Sequence, residues 1–204
     1  MLRGAFTYAR MLPENSPILI LASSSPRRRE LLREANIPFE VHPAHLNEER
    51  HPGEPPLEYA SRLSREKAQA VAQLFPERYV LGADTIVVVD DEVLGKPRDH
   101  ADAARMLRML SGRGHQVITA VTLISVNGHT DTRACVTQVF FRGLTSDEIQ
   151  QYVTGGEPMD KAGAYAIQGG ASLWTDRIEG EYSNVVGLPL SVVTDMLRTN
   201  GLLR

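Results

Sequence analysis

The sequence predicts an α/β protein, and three observations carry that prediction. An apolar run at residues 18–22 is followed at once by the start signals of a charged amphipathic helix. A long β-rich run at 79–89 leads through a turn into a second strand-like stretch. Helical periodicity of apolar residues recurs at 57–75 and 99–110, between the β-rich runs.

The first of these stretches organises the chain. Ile18-Leu19-Ile20-Leu21-Ala22 suits a strand buried on both faces. Ser23-Ser24-Ser25 follows, with Ser25 as candidate N-cap and Pro26 at the first helical position. A helix start exposes unpaired N–H groups and partial positive charge, and three serines and three arginines cluster there. That combination predicts an anion site, best suited to phosphate. At about 100° per residue, Leu31, Leu32 and Ala35 mark the buried stripe and Arg28 falls near its centre. Arg27 lies at the stripe's edge, and Arg29 is expected in solvent. A capped helix with a solvated basic first turn would explain Arg29. It would not explain Arg28, since a cation beside a helix N-terminus opposes the dipole unless an anion lies between them.

Residues 36–56 are rich in Pro, His and Glu and read as loop, with a short strand at Phe39-Glu40-Val41. His42, His45 and His51 match no compact metal-ligand spacing and read as surface-loop histidines. In the helix at 57–75, Leu57, Ala60, Leu63, Val71 and Leu74 form the apolar stripe, and Lys67 sits at its centre. A lysine can snorkel past its own stem, but one placed mid-stripe points to a buried anionic partner.

The β-rich run at 79–89 carries one carboxylate, Asp84, in its middle. Burying that charge unpaired would cost several kcal/mol, so a cation, a metal or a raised pKa is required. Gly82 and Ala83 leave room for a ligand beside it. Asp90-Asp91 reads as a two-residue turn, and a return strand reaching Pro97 would bring Lys96 opposite Asp84 or Thr85. Downstream, Asp99 caps a helix that stops at Gly112, and Asn127-Gly128 joins strands at 117–126 and 130–141. Thr145 and Glu148 form a capping box. Residues 157–170 read as a glycine-rich loop that allows close backbone approach, followed by a strand at 173–178 and a helix at 189–197.

The bulk numbers bound the function. A chain of 204 residues is enough for one domain, or one domain with two lobes. A formal net charge of −3 argues against a protein that coats nucleic acid, so the basic cluster is local and suits a small anion. Cys135 is the only cysteine, which excludes an intramolecular disulfide and fits a reducing, cytoplasmic compartment. No apolar run approaches the ~20 residues needed to cross a bilayer, so no membrane partner is expected. Residues 1–16 lack the features of a signal peptide. They read as a poorly ordered extension, or as upstream sequence if Met11 is the start, ahead of a single domain at 17–204.

Six stretches, LASSSPRRRELL, RLSREKA, GADTIVVVDDEVLGKP, MLRMLSGRGHQVITAV, EPMDKAGAYAIQG and NVVGLPL, together resemble the Maf (septum-formation-inhibitor) family of nucleoside triphosphate pyrophosphatases. The resemblance implies an elongated mixed sheet flanked by helices, with two lobes and a cleft, similar to the inosine triphosphatase fold. It also implies a homodimer and hydrolysis of a nucleoside triphosphate to monophosphate and pyrophosphate with Mg²⁺ or Mn²⁺. By position the family's proton acceptor falls on Asp84, and its other polar site positions fall on Ser23, Arg28, Glu48, Lys67, Lys96 and Gln168. Periodicity alone selects Arg28, Lys67, Asp84 and Lys96; Glu48 and Gln168 come only from the resemblance.

Asp84 and Glu48 are the implied metal ligands. Arg27, Thr85 and Gln168 match the dTTP/UTP branch, whereas the 7-methyl-GTP branch carries Trp, Gln and Glu there. Two positions depart from the family pattern: Ser64 where Ala is frequent, and Asn47 where an acid commonly precedes Glu48. The rival readings are a nucleotide-binding regulator of cell division without turnover and a 7-methyl-GTP-type pyrophosphatase. No GxxxxGK[ST] P-loop occurs, which argues against a motor ATPase or a kinase of that class.

Overall fold

The computed structural model describes residues 19–203; the expected extension and Ile18 lie outside them. β1 (Leu19–Leu21) runs through the serines into α1 (Pro26–Glu34), where Ser25 Oγ accepts the Arg28 N–H at 3.4 Å and Pro26 occupies the first turn. β2 (Phe39–Val41) is followed by fourteen residues, 42–55, with no helix or strand, and then by α2 (Pro56–Ala72). β3 (Tyr79–Val89) and β4 (Glu92–Leu94) form the predicted hairpin, with Asp90 and Asp91 both at positive φ (48° and 63°). Next come α3 (His100–Leu110), β5 (Gly114–Ile124), β6 (Thr130–Phe141) and α4 (Ser146–Thr154). Both reciprocal bonds of the Thr145–Glu148 capping box are made. The chain ends with β7 (Thr175–Glu179), α5 (Tyr182–Val186) and α6 (Leu190–Thr199).

The strands make one seven-stranded mixed sheet in the order β2-β1-β3-β5-β6-β7, with β4 paired to β3. β1 runs parallel to β2 and β3, and every other pairing is antiparallel. β3 is the hub. On one edge β5 pairs with it from Val80 to Val88. On the other, β1 takes residues 79–81 and β4 takes 87–89, which leaves 82–86 without a strand partner. Asp84 sits in the middle of that gap.

Side chains alternate across a strand, so β3 divides its residues between two faces. Val80, Ile86 and Val88 pack on the side of α2, among Ala60, Ala68 and Val71. Leu81, Ala83, Val87 and Val89 pack on the other side, in the cluster holding the buried residues of α1, α3, α4, α5 and α6. Gly82 allows α2 to lie close: a Cβ there would stand 2.3 Å from the Ser64 carbonyl oxygen and 2.8 Å from the Ala68 nitrogen. Ser64, the departure from the family pattern, is fully buried and shares a 2.8 Å hydrogen bond with the Thr122 hydroxyl.

Several expectations differ from what is seen. The helix expected at 57–75 ends at Ala72 and leaves Leu74 exposed, and the strand expected at 173–178 starts at Thr175, after a 3₁₀ turn. β4 stops at Leu94 instead of reaching Pro97, because the Gly95 carbonyl accepts the Gly163 N–H at 3.1 Å and draws the chain toward the 157–170 segment. That segment is wound into 3₁₀ turns at Glu157–Asp160 and Ala162–Ala164. α5 has no counterpart in the periodicity, and five residues are too few to reveal a helical stripe.

Candidate active site

A cleft of about 460 Å³ opens over the gap in β3 and is lined from both faces of the sheet. The alternation along β3 explains how. Asp84 shares the face of Ile86 and meets α2, whereas Thr85 shares the face of Val87 and meets α1.

Asp84 is 6% exposed and Lys67 is 8% exposed, and Lys67 Nζ donates to Asp84 Oδ1 at 2.6 Å. The buried lysine thus has the anionic partner its mid-stripe position demands. The same ammonium lies 2.7 Å from Glu48 Oε1, which arrives from the 42–55 connection. Burial pushes the Asp84 carboxyl above its ordinary pKa, against the opposing pull of Lys67 and Arg28. For Glu48, burial acts in the same upward sense, but the Lys67 hydrogen bond and charge outweigh it and the carboxyl ends below its usual range.

On the other face Arg28 is held by four protein groups. Its Nε donates to the Gly187 carbonyl at 2.8 Å and one terminal nitrogen to Ser23 Oγ (3.1 Å) and the Ala83 carbonyl (2.9 Å). The other donates to Thr85 Oγ1 at 3.0 Å. The Ala83 carbonyl lies in the unpaired stretch of β3, so the arginine satisfies a backbone group that the missing strand leaves open. Burial lowers the Arg28 pKa, with Asp84 pulling in the opposite direction.

Gly187 follows α5 at φ +124°, a conformation open to glycine. α5 is fixed from below, where the Asn184 amide donates to the Val117 carbonyl and Thr137 Oγ1. Ser23 and Thr85, expected to touch substrate, therefore have hydroxyls already engaged with Arg28.

The remaining expected residues stand around the rim. Arg27 lines the cleft and pairs with Asp160 at 3.3 Å. Gln168 lines it from the 157–170 segment and is exposed. Lys96 also lines it, but the expectation that it faces Asp84 across the hairpin is not met. With the ladder ending at Leu94, Lys96 leaves the strand, is exposed, and makes no ion pair within 4.0 Å among the described residues. Its field still reaches Glu48. Arg29, expected in solvent, is half-buried, and its Nε is buried without a partner among the described residues.

Asp160, Lys161 and Tyr59 line the cleft without having been singled out from the residue pattern. Tyr59 could have been found: Tyr59, Leu63 and Lys67 follow one another at four-residue spacing on α2.

The family model described as Maf-like protein matches residues 18–200. The chain belongs to the Maf-like protein family. This Maf-like chain is similar to a dTTP/UTP pyrophosphatase of Koribacter versatilis, with 54% identity over 188 residues, 91% of this chain and 95% of the relative. It is also similar to a dTTP/UTP pyrophosphatase of Geobacter metallireducens, 52% identical over 193 residues, 94% of this chain and 100% of the relative. Among solved structures, the Ham1 protein of Staphylococcus aureus aligns with a TM-score of 0.51 at 10% identity, covering 89% of this chain and 98% of that one. That likeness shows the mixed α/β fold alone.

The Maf-like site can be tested for its fit to a divalent cation. Among the described residues no three His, Cys, Asp or Glu side chains gather at metal-binding separations. Glu48 and Asp84 do converge, since both reach the Lys67 ammonium, so a positive charge already stands between two hard oxygen donors. Mg²⁺ is commonly held by one or two carboxylates, with phosphates and waters completing its shell. The pair therefore fits a cation that arrives with a nucleotide, and it does not form a closed metal cage.

Proposed function

We propose that this protein hydrolyses dTTP and UTP to the nucleoside monophosphate and pyrophosphate, by attack of water on the α-phosphorus. The observation that carries the reading is the Lys67–Asp84 pair, buried at 2.6 Å in a cleft rimmed by cations. The names and near-complete coverage of relatives more than 50% identical support the choice of substrate.

Asp84 orients the water and takes its proton. A carboxyl lifted above its ordinary pKa is the stronger base for that step. Lys67 keeps the carboxylate in place, with its charge balanced until the nucleotide arrives. Phosphoryl-type transfer needs mostly positioning and neutralisation of charge, which Arg28, Lys96 and the N-terminus of α1 supply around the triphosphate. Glu48 and Asp84 would hold Mg²⁺ or Mn²⁺, which when bound neutralises phosphate charge and polarises the reacting oxygens. Arg27 and Gln168, which both line the cleft, read the base, and Thr85 acts through Arg28. A homodimer and a cytoplasmic location complete the proposal; the family resemblance supports the first and the lone cysteine the second. Among the described residues no helix is long and apolar enough to cross a membrane.

The test is pyrophosphate release from dTTP, UTP, GTP and 7-methyl-GTP with Mg²⁺ present. Preference for dTTP and UTP is expected. Preference for 7-methyl-GTP, or tight binding of every nucleotide with no turnover, would overturn the reading.

A further inference from the structure

The connection at 42–55 has no helix or strand of its own, and all of residues 45–51 are exposed, yet it delivers Glu48 to the Lys67 ammonium. An unsupported stretch of that length does not hold a carboxylate in register by itself. Among the described residues, every hydrogen bond or ion pair from residues 43–54 to the rest of the chain ends on three side chains of α2: Tyr59, Arg62 and Lys67.

Tyr59 Oη donates to the Glu48 carbonyl at 2.5 Å, and an Arg62 terminal nitrogen donates to the next carbonyl, that of Glu49, at 3.0 Å. The same guanidinium grips the far end of the connection through Glu54, at 2.7 and 2.9 Å, and its remaining terminal nitrogen is braced by Glu66 at 3.1 Å. Arg62 also lies over the Tyr59 ring, 5.6 Å from its centre. Glu54, so paired, has its pKa lowered from 4.5 to about 2, chiefly by the Arg62 hydrogen bonds.

We infer that Arg62 is a positioning residue: it clamps the Glu48-bearing connection onto α2 and acts on turnover only through Glu48. This rests on the assignment of Glu48 to the site made above. Only a planar fork can span Glu49, Glu54 and Glu66 at once, so lysine, which keeps the charge, does not replace it.

The experiment combines a double-mutant cycle with a binding readout. Pyrophosphate release from dTTP is measured for wild type, R62K, E48Q and R62K/E48Q, and Mn²⁺ binding is followed by electron paramagnetic resonance with a non-hydrolysable dTTP analogue. Each single variant should lose about tenfold or more in kcat and in Mn²⁺ affinity, as removal of a partner that orients a metal ligand does. The double variant should be no worse than E48Q. E54Q, which frees the other end of the clamp, should reproduce R62K with thermal stability retained. Losses that multiply in the double variant, or an R62K enzyme equal to wild type, would overturn the clamp. An E48Q enzyme equal to wild type would instead refute the assignment of Glu48 itself.

Discussion

Lys67 and Asp84 form a buried ion pair across the boundary between α2 and the central strand β3, with Nζ and Oδ1 2.6 Å apart. The pair stands where β3 has no strand neighbour on one edge, so both groups are sheltered by the fold yet open to the cleft. A sheet closed at that point would seal the pair in; the gap between β1 and β4 leaves it facing the cleft.

Removing one partner from such a pair strands a charge. Lys67→Met should destabilise the protein by about 3–5 kcal/mol in urea denaturation, because Asp84 then lies buried without its cation. Adding Asp84→Asn to that variant should recover a large part of the loss. Wild-type stability in Lys67→Met would mean that the pair is effectively in water.

Gly82 tests the closeness of α2 to the sheet. A Cβ at that position meets main-chain oxygen at 2.3 Å, so Gly82→Ala should cost about 1–3 kcal/mol by overpacking. It should also lower turnover, since pushing α2 outward carries Lys67 away from Asp84. A chemical-denaturation curve and a kcat measurement on the same preparation check both effects.

The charge and spacing of the residues reveal much of this arrangement in advance. Arg28 and Lys67 are cations on stripes otherwise apolar, and Asp84 is a carboxylate inside a β-rich run; each is a local contradiction that requires a partner. Their partners are less legible. Arg28 is occupied by Ser23, Ala83, Thr85 and Gly187, and the last of these is placed by a five-residue helix too short to show periodicity. Lys96 shows a different limit. The turn at Asp90-Asp91 is plain in the sequence, but the length of the ladder beyond it is set by the bond between Gly163 and Gly95, sixty-eight residues apart. Parallel pairing of β1 with β3 is equally long-range, so the gap that makes the site cannot be read from either strand alone.

His115, which does not itself line the cleft, supplies a pH test. It is 2% exposed, shares a 2.8 Å hydrogen bond with the Tyr165 hydroxyl, and burial lowers its pKa from 6.5 to about 4. Between those values the unfolded chain binds the proton and the folded chain does not. The neutral imidazole's contribution is therefore complete above pH 6.5 and is lost as pH falls through about 4, amounting to roughly 3 kcal/mol at 1.36 kcal/mol per pH unit. Thermal melts of wild type and His115→Phe across that window should diverge, with the steeper acid loss in wild type. Parallel curves would contradict a buried neutral histidine.

Asp84→Asn is the most direct measurement of all, made as pyrophosphate release from dTTP alongside equilibrium binding of a non-hydrolysable dTTP analogue. If Asp84 takes the proton of the attacking water, kcat should fall by about 10²–10⁴-fold, the usual contribution of a general base, while the analogue still binds. Turnover close to wild type in that variant would remove Asp84 from the chemistry, whatever the cleft around it contains.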